Sequence, residues 1–278
     1  MNPLDAVAWL TGFAATSAQS ISGEVYEVGL DDGSRVVAKQ HRESNAVLAE
    51  AASLRWLEVA GAPPVPGVRG HGEHWLVIDR VEPGRPSASA AEALGRGLAA
   101  LHSAGAPAFG SPPPDGPVSA VIGLARMENV AGARWPEWYW SHRVEPYLRQ
   151  AVDDGVLMRE EAQVITAACA RVEDPGEPPA RLHGDLWSGN VLWGADGRAW
   201  LIDPAAHGGH RETDLAMLRL FGCPHLERVI DAYRDISPLA DGWADRVGLH
   251  QLFPLLVHAV LFGRGYAEQA VTAARGVV

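Results

Sequence analysis

The chain has 278 residues, 47% hydrophobic and 21% charged, a globular balance with enough length to bury a core; disorder and coiled coil are excluded. Its formal net charge of −11 argues against nucleic acid or an anionic membrane as a main partner. Two cysteines, Cys169 and Cys223, make no disulfide framework and suit a reducing, cytoplasmic setting.

In chain order, residues 1–17 read as a short helix with Leu4, Val7, Ala8 and Leu10 on one side. The first basic residue is Arg35, so the N-terminus lacks the positive region of a signal peptide. Two strand-like runs follow, 23–29 and 35–39, joined by Asp31-Asp-Gly33, a strong hairpin signal. Residues 45–60 have helical periodicity, with Leu48, Ala51, Ala52, Leu54 and Leu57 expected inward. After a proline-rich connector, 74–78 reads as a buried strand.

The texture then turns helical. Residues 90–102 are amphipathic, and Gly95 and Gly97 suggest close packing more than a phosphate loop. Residues 106–118 form a proline- and glycine-rich loop, and 136–152 and 158–172 read as helices. Short strands return at 191–193 and 199–202, joined by Gly194-Ala-Asp-Gly197; residues 212–275 read as helical. The apolar stretch 252–263 contains Pro254 and His258 and is too short to cross a bilayer. The expected fold class is α+β in two lobes: residues 1–80 a small β-rich lobe, residues 81–278 a larger helical one.

The chemistry is densest in His183-Gly-Asp-Leu-Trp-Ser-Gly-Asn190 and Ile202-Asp-Pro204. Phosphoryl transfer needs a carboxylate to orient an acceptor hydroxyl and oxygen ligands for the magnesium that neutralises a triphosphate. Asp185 and Asn190 share one loop, and a hairpin delivers Asp203 to the same place. As turn formers alone, these residues would only cap a hairpin. The basic side chains weigh against that reading. The chain has 22 arginines and one lysine, Lys39, and only a compact ammonium suits a site that a planar fork does not. Lys39 ends a strand in Val-Val-Ala-Lys, the place from which a lysine holds ATP phosphates, and Glu50 on the next helix is its partner.

The sequence resembles the fructosamine kinase (ketosamine 3-kinase) family of the protein-kinase-like and aminoglycoside-phosphotransferase superfamily. The likeness rests on residues 183–190 and Ile202-Asp-Pro-Ala205, on Gly209-His-Arg-Glu-Thr-Asp-Leu-Ala-Met217 and Arg219-Leu-Phe-Gly222, and on Leu261-Phe262-Gly263. It implies a two-lobed protein-kinase-like fold, with Asp185 as catalytic base, Asn190 and Asp203 as magnesium ligands and Lys39 on the phosphates of ATP. It also implies transfer to the 3-hydroxyl of a ketosamine such as ribulosamine or fructosamine, free or on a protein lysine, as a deglycation step. Trp187 is expected to stack on the sugar, and backbone groups of Asp79 and Val81 to meet the adenine. His183 and Asp214 are expected to support the loop, and His207 to serve a substrate loop or a hydrogen bond. Zinc is not expected on His207 and His210, because it wants three or four converging ligands.

The chain departs from the family pattern at 18–23 (AQSISG), where consecutive glycines are usual. Ser20 and Ser22 are then the candidate phosphate contacts. Two rival readings stay open: a kinase of aminoglycosides or aminoalcohols, and a catalytically dead kinase-like binding module. Oligomeric state is not read from the sequence.

Overall fold

The computed structural model describes residues 1–172, 174 and 176–277. Helix α1 (Pro3–Thr11) starts where the Asn2 side chain accepts the Asp5 N–H at 2.9 Å and stops at Gly12, φ +77°. Strand β1 (Ala15–Ser22) comes next, where the sequence pointed to the end of a helix and a loop. Its small polar residues carry no apolar period, and all but Ala15 are exposed. Pairing with β2 (Val25–Leu30), from Ala15↔Leu30 to Ser22↔Val25, specifies it instead. The Asp-Gly hairpin to β3 (Arg35–Gln40) forms as expected: the Ser34 N–H donates to Asp32 Oδ1 at 2.8 Å, and Gly33 takes φ +83°.

Helix α2 (Ser44–Leu57) leads to β4 (Val68–His71), which the sequence did not signal, and β5 (Trp75–Asp79). The antiparallel sheet has the order β1-β2-β3-β5-β4. Strand alternation in β3 splits its side chains: Val36 and Ala38 join Ala6, Val7, Val28 and Val77 against α1, while Val37 and Lys39 take the other face. On α2 the buried face centres on Val47, Ala51 and Leu54; Leu48, expected inside, is exposed.

The C-terminal region begins with α3 (Ala88–Ser103), capped by Ser87 accepting the Ala90 N–H at 3.2 Å. An unforeseen hairpin, β6 (Ser119–Ile122) and β7 (Ala125–Glu128), precedes α4 (Trp135–Tyr139), a π-helical turn (Trp140–Val144), α5 (Glu145–Asp153) and α6 (Arg159–Cys169). Four short strands follow: β8 (Ala180–Leu182), β9 (Val191–Trp193), β10 (Ala199–Leu201) and β11 (His207–Gly209). Helices α7 (Glu212–Phe221), α8 (Leu226–Ile236), α9 (Trp243–Phe262) and α10 (Arg264–Arg275) close the chain. The α3 glycines do serve close approach, since a Cβ on Gly95 would sit 2.1 Å from the Val229 carbonyl oxygen of α8.

One core cluster joins the two regions, packing Leu54, Leu76 and Ile78 with Leu98, Leu201 and Leu218. Among the described residues no helix is long and apolar enough to cross a membrane. Two small ladders aim the functional loops. β8 pairs with β11 and ends just before His183, and β9 pairs with β10, which ends two residues before Asp203.

Candidate active site

Lys39 and Glu50 are both buried, and the Lys39 ammonium lies 2.5 Å from Glu50 Oε1 while also pairing with the Asp203 carboxylate. Burial alone would lower the Lys39 pKa; the charges of Glu50 and Asp203 outweigh it and hold the ammonium above its ordinary range. Burial likewise opposes ionisation of Glu50, yet Lys39 and His41, whose Nε2 is 3.2 Å from Glu50 Oε2, keep it lowered. The sheet register places Ser22, Val25 and Lys39 in one row across β1, β2 and β3. The turn at the end of the first hairpin therefore lies two strands from the ammonium.

Asp214, in the first turn of α7, is fully buried and accepts the N–H groups of His183 and Gly184 at 2.8 and 3.0 Å. His102 Nε2 is 3.2 Å from its carboxylate, with the Tyr233 hydroxyl 2.9 Å behind on Nδ1. Burial would raise this carboxyl, but His102 and His183 bring it below its usual value. Gly184 sits at φ +83°, and a Cβ there would meet the Ala205 carbonyl oxygen at 2.1 Å. His183, kept neutral by burial, accepts the Asp185 N–H on Nδ1 at 3.3 Å, so its Nε2–H donates to the Ile202 carbonyl at 3.0 Å.

That framework brings Asp185, Asn190 and Asp203 together. The Asn190 Nδ2 group donates to the Asp185 backbone carbonyl at 2.8 Å and to its Oδ2 at 3.0 Å, and the Ile202 N–H donates to the Asn190 carbonyl at 3.0 Å. Burial raises the Asp185 carboxyl to about 7, against the Asn190 hydrogen bond and with help from Asp203 and Asp214. A carboxylate poised there is suited to take a proton near neutral pH. Asp203 adopts φ +54°, a left-handed conformation that Asp tolerates better than most residues, and its side chain is 49% exposed. With Nδ2 committed to Asp185, the atom of the Asn190 side chain left to ligate a metal is its carbonyl oxygen. Together with the Asp203 carboxylate it is a set of hard oxygens that fits magnesium.

Trp187 is 38% exposed and meets Phe221 edge-on, ring centroids 6.0 Å apart. Its indole lies across Gly189, where a Cβ would come within 2.2 Å of ring carbons. Ser20 and Ser22 stand exposed on β1. The Asp79 N–H donates to the Gly67 carbonyl at 2.9 Å and its side chain pairs with Arg69; Val81 follows two residues on, half-buried.

Of the two roles expected of His207, the structure shows the hydrogen bond. Pairing of β11 with β8 buries it to 2% exposure, its Nδ1 lies 2.9 Å from the Ala205 carbonyl, and burial pushes its pKa down to about 3. It packs against the loop at Gly184 and against the Trp138 ring, centroids 5.9 Å apart. His210, Glu212 and His250 are also buried together. The Glu212 N–H donates to His210 Nδ1 at 3.2 Å, which leaves the proton on Nε2, and Arg246 grips the Glu212 carboxylate at 2.6 and 2.9 Å. The three side chains bring possible ligand atoms within 4.8 Å of one another, and the Thr213 hydroxyl lies 2.9 Å from His250 Nδ1. Sequence reasoning missed His41, His102 and Tyr233, whose partners lie 9, 112 and 131 residues away.

Residues 12–277 match the fructosamine kinase family. A probable ketoamine kinase of Synechocystis sp. is 32% identical over 268 residues, 93% of this chain and 89% of that protein. The crystal structure of a candidate fructosamine-3-kinase from Thermobifida fusca superposes with a TM-score of 0.90 at 42% identity, over 99% of this chain and 98% of the other. At 13% identity, the streptomycin–ATP complex of APH(2″)-IIa superposes with a TM-score of 0.64 over the full length of both chains, a likeness of fold alone. The kinase-like architecture and the match along nearly the whole length agree with the motifs of the catalytic loop, and the chain belongs to the fructosamine kinase family.

Proposed function

We propose that the chain transfers the γ-phosphoryl group of ATP to a sugar hydroxyl of a ketosamine, the 3-hydroxyl being the expected position. The observation that carries this reading is the convergence of Lys39, Glu50, Asp185, Asn190 and Asp203 in one connected set of contacts. A dead site has no physical reason to keep all five in register.

Asp185 orients the acceptor hydroxyl and takes its proton as the new O–P bond forms and the bond from the γ-phosphorus to the β–γ bridging oxygen breaks, releasing ADP. Lys39, held by Glu50, exchanges Asp203 for oxygens of the α- and β-phosphates. Asn190 and Asp203 would hold magnesium, which neutralises the triphosphate when bound. Trp187 offers the face of its indole to the sugar, the Asp79 carbonyl and the backbone of Val81 meet the adenine, and Ser20 and Ser22 stand near the phosphates. Asp214 and His183 hold the loop. Phosphorylation next to the ketone destabilises the adduct, so the reaction serves deglycation, and the unpaired cysteines favour a cytoplasmic setting.

The test is an ATP-consumption screen with ribulosamines, fructosamines and aminoglycosides, the product identified by phosphorus NMR. A new phosphate monoester on the ketosamine is the expected result. Turnover of aminoglycosides alone would move the assignment to an antibiotic-type kinase, and no transfer to any acceptor would revive the inert module.

A further inference from the structure

We propose that the preferred acceptors carry an apolar group on the amine side, bound by an aromatic ladder that leads outward from Trp187; this deepens the ketosamine reading and rests on it. The ladder is continuous. Beyond the Trp187–Phe221 contact, Phe221 lies 5.0 Å from His258, and His258 lies 5.5 Å from Phe262 and 5.0 Å from Tyr266, all between ring centroids. Phe262 and Tyr266 close the outer end at 6.0 Å. Phe262 is 66% exposed. Beside it, a Cβ on Gly123 at the β6–β7 turn would lie 3.9 Å from Leu261, and the next residue of that turn, Leu124, is 88% exposed.

Single exposed apolar residues need no explanation, but a connected strip that begins two residues from the candidate base marks a binding surface. The connectivity of a ketosamine says what would occupy it. Its nitrogen sits on the carbon next to the ketone, two carbons from the 3-hydroxyl. With that hydroxyl at Asp185 and the sugar on Trp187, the substituent on nitrogen leaves along the ladder. The ladder's side chains carry no formal charge: His258 gives its Nδ1 hydrogen to the Pro254 carbonyl at 2.7 Å, and burial lowers its pKa. Such a surface suits an apolar arm, and its ring faces attract the secondary ammonium of the adduct. A polycation with several primary amines would instead want carboxylates.

The experiment compares ribulosamines of benzylamine and of ethanolamine, which share the sugar and the ammonium and differ in the arm. The expected kcat/KM for wild type is about tenfold higher with the benzyl adduct, the worth of partly burying a ring. Phe262→Ala and Leu124→Ser should each shrink that ratio, and Phe262→Trp should keep it. Phe262 is largely in solvent, so Phe262→Ala is expected to fold; a matching melting temperature is the control. A ratio near one in wild type, or a ratio unchanged in both truncations, overturns the inference while leaving ketosamine phosphorylation standing. Turnover of neither adduct, with turnover of an aminoglycoside, overturns the ketosamine reading and this inference with it.

Discussion

The first hairpin and the loop at residues 183–185 both serve the candidate site, yet they are held in different ways. Strand β1 pairs only with β2, and seven of its eight residues are exposed. The loop is gripped through its own backbone: Asp214 accepts two of its N–H groups, and His102 and Tyr233 stand behind Asp214. Under the proposed function this exposed edge hairpin is the cover over the triphosphate. The loop holds Asp185 in place on its own, and if Asp185 is the proposed base, that is where catalysis gains most from preorganisation.

The largest break in this contrast should come from Asp185→Asn. Removing the base should cost on the order of 1,000-fold in turnover, with ATP affinity, read by calorimetry, changed little. The same change should not destabilise the fold. Burial raises the Asp185 pKa to about 7 in the folded chain, well above that of an unfolded carboxyl. The native state therefore binds the extra proton between about pH 4 and 7, and stability falls as pH rises through that window. In metal-free buffer, Asp185→Asn should melt no lower than wild type at pH 8 and lose any advantage by pH 4; a variant clearly weaker at pH 8 would contradict the burial argument.

Asp214→Ala attacks the grip itself. It orphans two buried N–H groups, at about 1–3 kcal/mol each, and should show as a large drop in the urea midpoint together with lost turnover. If stability barely moves, the loop is held by something else. Lys39→Arg keeps the charge but forces a planar fork between two carboxylates, and about a hundredfold loss of kcat/KM for ATP is expected. An active Lys39→Arg enzyme would make the single lysine of the chain an accident. The smallest effect belongs to the cover: Ser20→Ala with Ser22→Ala should raise KM for ATP by less than about threefold, the scale of one weak exposed hydrogen bond. A larger rise would mean the hairpin grips the phosphates as firmly as the loop grips Asp185.

The legible parts of the molecule were those written in local pattern. Asp31-Asp-Gly33 and Gly194-Ala-Asp-Gly197 marked their hairpins, and the spacing of Asp185, Asn190 and Asp203 brought three distant-looking residues into contact. The illegible parts depend on partners far along the chain. β1 has no apolar period because its side chains face solvent, so only β2 reveals it as a strand. β6 and β7 are four residues each, too short for alternation to stand out. His207 in a Gly-rich stretch reads as loop, and only the pairing of β11 with β8 shows that it is buried. The support behind Asp214 comes from α3 and α8, and nothing near His102 or Tyr233 announces it.

Gly189 has a consequence for how such an enzyme diversifies. Its missing side chain is the space in which the Trp187 indole lies, so any larger residue there would displace the ring and, under the proposed function, move it off the sugar without touching a reacting atom. The acceptor range can drift through this one position while the phosphoryl-transfer chemistry stays intact, a hinge between inherited reaction and acquired selectivity.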